Sequence, residues 1–326
     1  MKAIIIEHSG GPEVLKIKEI PTPTPYENQI LVKVHATTLN RDDLLQRQGK
    51  NPVNSDEYEI LGLEIAGEIQ ELGPNVRDFK KGDRVCGLVN GGGYAEYCVM
   101  DASLAMRIPK NYSYEEAAAI PETFLIANEA LFQLGELKAG ESVLIHAGGS
   151  GVATAAVQLA RYMDAMVYVT AGSQEKIDKA MAYGVTEGIN YKTEDFAMKI
   201  MQLTGDQGVN LIVDFMGASF LGRHLQILKR NGRLVMLATM GGKEAHVNVT
   251  PIISKQLQIK GTVLRDCSLE EKGEITERFV KRWLPALEAG HIKPIIDSVF
   301  PLEQARQAHM HMEARQHFGK IILKVD

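Results

Sequence analysis

Apolar and polar positions alternate in short runs over the first 110 residues, and the period lengthens afterwards. AIIIEH, VLKIKEI, QILVKVHATTL, EIAGEIQEL, DRVCGLV and YAEYCVM are rich in Val, Ile and Tyr and are separated by Gly and Pro turns, a pattern that predicts strands. PTPTP reads as an extended connector, because each Pro biases its predecessor toward extended geometry. One short helix, DDLLQRQ, interrupts the strands, and the stretch as a whole predicts an all-β, barrel-like domain. A helical link, EEAAAIPETFLIANEALFQLG, follows and is broken at Pro121. SVLIHA, MVYVTA, GINY, VNLIVDFM and RLVMLAT then alternate with helical segments, one of which starts at Gln174, and IKGTVL offers a sixth strand. This alternation predicts an α/β domain with a parallel sheet covered by helices on both faces. The tail predicts a helix over 269–289, an extended IIDSVFP, a helix LEQARQAHMHMEA and a strand GKIILKV that returns to the β domain. The expected division is a discontinuous β domain (1–118 and 266–326) around a doubly wound domain (119–265).

Composition narrows the function. The chain has 326 residues, too many for one small core, and 45% of them are hydrophobic. A net charge of -5 offers no basic field for nucleic acid. No apolar run has the length of a membrane span, and the apolar part of MKAIIIEHSGGPEV is too short for a signal peptide. Cys86, Cys98 and Cys267 are scattered and odd in number, which favours a reducing compartment over a disulfide framework. The expected location is the cytoplasm.

HAGGSGVATAAVQLA, residues 146 to 160, follows SVLI as the Gly-rich turn of a strand–turn–helix unit. Of the G-x-G-x-x-G positions only Gly148 is glycine; Ser150 and Ala153 fill the others. Gly148 can supply the tight turn, Ser150 can donate to a phosphate oxygen, and Gly151 and Val152 open the helix toward an anion. Val152, Ala155, Ala156 and Leu159 recur at i, i+3, i+4 and i+7 and predict the face packed on the sheet. Alone the motif is weak and fits a bland strand–turn–helix; within five alternating units it predicts a dinucleotide site. An NAD site places an acid about twenty residues further on. Here VTAGSQEKID has none from 170 to 174, and Gly172, Ser173 and Lys176, with Tyr191 after the third strand, can meet a 2′-phosphate. The alternative is that Ser173 only caps a helix and Lys176 is a solvated charge. The expected cofactor is NADPH.

The segments LNRDDLLQRQGK, ILGLEIAGEIQELG, GDRVCGL, GGGYAEY, AAAIPETFLIANEAL, HAGGSGVATAAVQLA, VTAGSQEK, INYKTEDF and GKIILKV span nearly the whole chain. In them the chain resembles the medium-chain dehydrogenase/reductase superfamily, and within it the zinc-free quinone oxidoreductases. The resemblance implies a GroES-like β-barrel catalytic domain, a Rossmann domain that binds NADPH, an active site in the cleft between them, and a homodimer joined through Rossmann edge strands. Zinc-dependent relatives place a Cys near Arg41, a His-Glu pair at Leu63 and Glu64, and a cluster of four cysteines. None of that set except Glu64 is present, and its expected job is structural. His309, His311 and His317 look metal-like but read as a solvated helix face.

Without a Lewis acid, the expected reaction is hydride transfer to an electron-poor quinone or conjugated enone. Asn40, in LNRDD, would face the nicotinamide ribose and the acceptor; the alternative is a turn residue bonding its own backbone. Met216 and Gly217, and Ala238, Thr239 and Met240, should line the cofactor at the switch point, with Leu264 approaching the nicotinamide. Asp214 reads as a strand-end cap and His146 as a core histidine. Two positions depart from the family pattern: Asn51 stands where a Tyr is common, and Ile126 where a Thr lies near the carboxamide. Both changes remove a hydroxyl from the expected site. Two rival readings are a 2-enoyl thioester reductase and a catalytically weak NADPH-binding sensor.

Overall fold

The computed structural model describes residues 1–50 and 59–325. Asn51 therefore lies outside the described residues. The chain divides into two compact units, Met1–Leu125 with Ser268–Asp326, and Ile126–Cys267.

In the first unit β1 (Lys2–Ile6) pairs antiparallel with β2 (Leu15–Glu19). The ten-residue β3 (Gln29–Thr38) is followed by α1 (Arg41–Arg47), and β4 (Glu59–Ile60) pairs with the other edge of β1. β5 (Glu64–Leu72), β6 (Arg84–Leu88), β7 (Tyr97–Asp101) and β8 (Ala105–Arg107) extend the second sheet. β3 and β5 are joined with two register shifts, at Leu31/Val32 and at Val34/Ala36. Such irregularities add twist, and the same β3 pairs with β7 over its first half. α2 (Tyr114–Ala118) opens with a capping box between Ser113 and Glu116. α3 (Pro121–Asn128) begins at the proline expected to break the link, where a missing N–H costs nothing, and runs into a π-helical turn at Glu129–Leu134.

In the second unit the elements run β9 (Ser142–Ile145), α4 (Gly151–Tyr162), β10 (Met166–Ala171), α5 (Gln174–Met181), β11 (Glu187–Asn190), α6 (Phe196–Leu203), β12 (Val209–Asp214), α7 (Ala218–Ile227), β13 (Leu228–Met236), α8 (Thr250–Ser254) and β14 (Gln258–Gly261). All five strand pairings are parallel, in the order β11-β10-β9-β12-β13-β14. Chain direction across the sheet reverses between β9 and β12, and ligands of such sheets bind beyond the strand ends at that point. Leu144, Ile189, Phe196, Ile212 and Leu234 are among its fully buried core.

The tail returns to the first unit. α9 (Leu269–Glu288) is capped by Ser268 and Glu271 and buries Ile275, Phe279, Trp283 and Leu287, one turn apart along one face. β15 (Ile296–Pro301), α10 (Ala305–Glu313) and β16 (Lys320–Lys324) follow, and β16 pairs antiparallel with Ala36–Thr38 of β3. The returning strand is thus present. Among the described residues no helix is long and apolar enough to cross a membrane.

Candidate active site

The glycine turn departs from expectation in one respect. The left-handed residue is Ala147 (φ 55), one position before Gly148. Gly148 is needed for close approach instead: a Cβ there would lie 3.1 Å from Val169 Cβ on β10, and its N–H donates to Thr170 O at 2.8 Å. Ser150 caps α4 by accepting from Ala153 N–H at 3.1 Å, which leaves its own hydroxyl proton free to donate. The Gly151 and Val152 N–H groups, half-buried at the helix start, have no partner among the described residues, as an anion site requires. The apolar stripe read along α4 was too narrow. Every residue from Ala153 to Ala160 is buried, and Val152, expected on the packed face, is half-exposed. Small residues, four of them Ala, fill this stretch, and α4 packs on β9 and β10.

Beyond β10, Ser173 Oγ accepts from Lys176 N–H at 3.4 Å and caps α5. A Cβ on Gly172 would lie 2.9 Å from Tyr191 Oη and 3.3 Å from Lys192 Cε, so the end of β10 and the residues after β11 meet there. Tyr191 and Lys192 thus approach the Gly172 backbone, next to the Ser173 cap to which the Lys176 N–H donates. Lys192 was overlooked in the sequence because nothing in its spacing marks it; it enters through the Gly172 contact. The first acid after β10, Glu175, is paired with Lys179 at 2.7 Å.

Two loops come together at the switch point. Asp214 accepts from Met216 N–H and Gly217 N–H, both at 2.8 Å, and burial pushes its carboxyl up to about 6. That is the capping role expected of it. Gly217 (φ 70) leaves room for the second loop: a Cβ there would be 3.0 Å from Thr239 Cα. Met240 N–H donates to Phe215 O at 3.0 Å. Ala238 is half-buried, while Thr239 and Met240 are exposed. Leu264 and Ile126 are both buried, within a 3-10 turn and α3 respectively.

Behind this turn His146 bonds Thr170 Oγ1 through Nδ1 (2.7 Å) and His224 Nε2 through Nε2 (2.8 Å). His146, His224 and Asp214 are fully buried and their ligand-type atoms lie within 4.8 Å of one another. The two Nε2 atoms share one proton in their hydrogen bond, which occupies the lone pair a metal would need. Burial holds His146 well below its usual pKa and His224 down at about 3, so the pair is a neutral core network. His146 is a core histidine, as expected.

In the first unit Asn40 caps α1 in a capping box with Asp43, and its side chain also reaches partners beyond the helix. Nδ2 donates to Glu64 Oε1 at 3.1 Å, and Oδ1 accepts from Lys320 Nζ at 2.7 Å. Lys320 also pairs with Glu64 Oε1 (2.8 Å) and donates to Leu39 O (3.0 Å). Thr38 donates its hydroxyl to the same Glu64 oxygen, and Glu64 Oε2 accepts from Glu122 N–H at 2.7 Å. Asn40 N–H donates to Asp43 Oδ2 at 2.6 Å, and burial pushes Asp43 up to about 7. The Asn40 amide is therefore held in one orientation from two elements, β5 and β16. Expectation failed at His309, which is no solvated residue: it is fully buried, 3.2 Å from both Arg47 Nη1 and Tyr94 Oη. His311 pairs with Asp297 at 2.8 Å.

Comparison with known proteins agrees with this architecture. Residues 26–110 match the family model described as "Alcohol dehydrogenase GroES-like domain", and residues 151–281 match "Zinc-binding dehydrogenase". The quinone oxidoreductase of Sus scrofa is 33% identical over 326 residues, covering 99% of this chain and 97% of its own. The Escherichia coli quinone oxidoreductase solved as a complex with NADPH superposes with a TM-score of 0.90 at 30% identity, covering 99% of this chain and 100% of its own. A solved NAD-dependent alcohol dehydrogenase superposes with a TM-score of 0.89 at 32% identity, covering 100% of both chains. Fold and motifs together define a medium-chain dehydrogenase/reductase. Within that class the chain belongs to the quinone oxidoreductase branch.

The zinc implied by one family name does not fit the residues present. A catalytic zinc needs three protein ligands. Glu64 has both oxygens engaged by donors, including an ammonium, and the neighbouring Leu63 is buried and apolar. Burial pushes the Cys86 and Cys98 thiols up to about 12, so neither is a thiolate at neutral pH.

Proposed function

We propose that this protein is an NADPH-dependent, zinc-independent reductase of quinones or conjugated carbonyl compounds. The observation that carries the reading is the corner around Gly172, where Tyr191 and Lys192 approach beside the Ser173 cap and no carboxylate stands between the end of β10 and Glu175, which Lys179 engages. The NADPH-complexed Escherichia coli relative supports the same cofactor.

When bound, NADPH supplies the hydride. The Gly151 and Val152 N–H groups and the Ser150 hydroxyl hold the pyrophosphate, and the Gly172 corner holds the 2′-phosphate. Ile126, Met216, Gly217, Ala238, Thr239, Met240 and Leu264 surround the remainder. Asn40, its amide fixed by Glu64 and Lys320, orients the nicotinamide ribose and the acceptor. An electron-poor acceptor needs placement more than activation, which a rigid amide provides. The positive charge beside Glu64 is already supplied by Lys320, so no metal is called for. We also place the protein in the cytoplasm, in keeping with three cysteines that form no disulfide among the described residues, and as a homodimer through the β14 edge.

Steady-state oxidation of NADPH and NADH with a small para-benzoquinone tests the reading. NADPH should win in kcat/KM by about tenfold or more, the equivalent of about 1.4 kcal/mol. Preference for NADH, or tight NADPH binding with turnover of no quinone or enone, overturns it.

A further inference from the structure

We propose that Glu122 is the general acid that protonates the acceptor oxygen during reduction. The inference rests on the reductase reading and names a catalytic group that reading leaves open. Glu122 stands in the first turn of α3, and its backbone N–H donates to Glu64 Oε2 while Asn40 Nδ2 donates to Glu64 Oε1. One carboxylate thus ties Glu122 to the residue placed beside the acceptor. The Glu122 side chain is half-buried, and its carboxyl has no hydrogen bond or ion pair among the described residues. Every other carboxyl in the group is engaged: Glu64 by four donors, Asp43 by the N–H groups of Asn40 and Gly62. A carboxyl beside the buried Glu64–Lys320 pair, left without a donor, is one the surroundings keep neutral.

The electrostatics agree. Burial first, and the Glu64 charge second, push the Glu122 carboxyl up to about 8; Lys320 pulls the other way, and Asp42 and Asp43 add to the push. These are the charged groups facing it from β5, β16 and α1. At neutral pH Glu122 is therefore protonated and able to donate. In the step, a hydride from NADPH reduces the acceptor by two electrons and leaves negative charge on its oxygen. The Glu122 O–H bond breaks as the acceptor O–H bond forms. The resulting carboxylate recovers its proton from water, and NADP+ is the oxidised product.

The test is the pH profile of kcat/KM with one simple conjugated enone and one small para-quinone. Because the donor is the neutral acid, wild-type enone turnover should fall as pH rises through about 8. Glu122→Gln should lower enone turnover by about 10²-fold and abolish that alkaline limb, with a smaller loss on the quinone and unchanged NADPH affinity. Glu122→Asp should restore the limb at a shifted position. A Glu122→Gln enzyme that keeps both rate and limb overturns the proposal; if that variant does not fold, a limb unmoved in Glu122→Asp does so. Wild type that reduces neither acceptor defeats the reductase reading itself, whereas intact quinone turnover with an unaltered limb in Glu122→Gln defeats only the role of Glu122.

Discussion

Lys192 approaches Gly172 and Lys176 opens the helix that Ser173 caps beside it, and the two lysines differ in setting. Lys176 is half-buried at the start of α5, whereas Lys192 is exposed after β11. A charge-assisted hydrogen bond to phosphate contributes about 1.5–3 kcal/mol, and exposure screens it. Lys176→Ala should therefore raise the Kd for NADPH by about 10- to 100-fold and leave NADH nearly unchanged, with Lys192→Ala weaker in the same direction. Titration of each variant with both nucleotides decides it; equal losses for both cofactors would show Lys176 to be only a surface charge. At this scale the sequence was legible where a residue type is tied to its own turn, as with Ser150, Ser173 and Asp214. It was illegible where partners come from distant segments. Lys320 and Glu122 lie 280 and 82 positions beyond Asn40, and only folding brings them to Glu64. His309 misled for the same reason, since Arg47 and Tyr94, its buried partners, are remote in the chain.

Elements were more legible than their packing. α5 and β10 fall where the period of the sequence places them, and Pro121 starts a helix as its chemistry allows. The π-helical turn after α3 and the nearly complete burial of α4 have no periodic signal, because both are set by what closes around the helix. Gly148 joins these two facts. Its absent side chain lets the turn lie against Val169 of β10, which is fully buried. Gly148→Ala forces a contact tighter than ordinary packing and should cost about 1–3 kcal/mol. A lowered unfolding midpoint together with weaker binding of both NADPH and NADH is the expected result. Loss of stability alone, with both nucleotides bound as before, would detach the turn from the cofactor.

On the scale of the molecule, the β14 edge of the second unit carries a single charge, Lys260, whose ammonium is engaged by Leu134 O and Glu136. β14 ends the six-stranded sheet with nothing paired on its outer side among the described residues. Ile259 on that strand is 42% exposed, and Ile253 on the adjoining α8 is 77% exposed. Natural edges are guarded by charge, proline or a covering element, and exposed branched side chains on an open edge invite pairing. A two-fold axis beside β14 would let each copy complete the other, burying both isoleucines and extending the sheet across the pair. The isologous arrangement also limits assembly to two, because using the edge once consumes it. The wild-type protein should therefore run as a dimer in light scattering at micromolar concentration. Ile253→Asp with Ile259→Asp should give monomer, since the two-fold axis sets each new carboxylate close to its symmetry mate and the cost is met twice. Nucleotide binding should persist in that monomer, because the Gly172 corner and the turn at Gly148 are built within one chain. A monomeric wild type, or a double variant that remains dimeric, places the contact elsewhere.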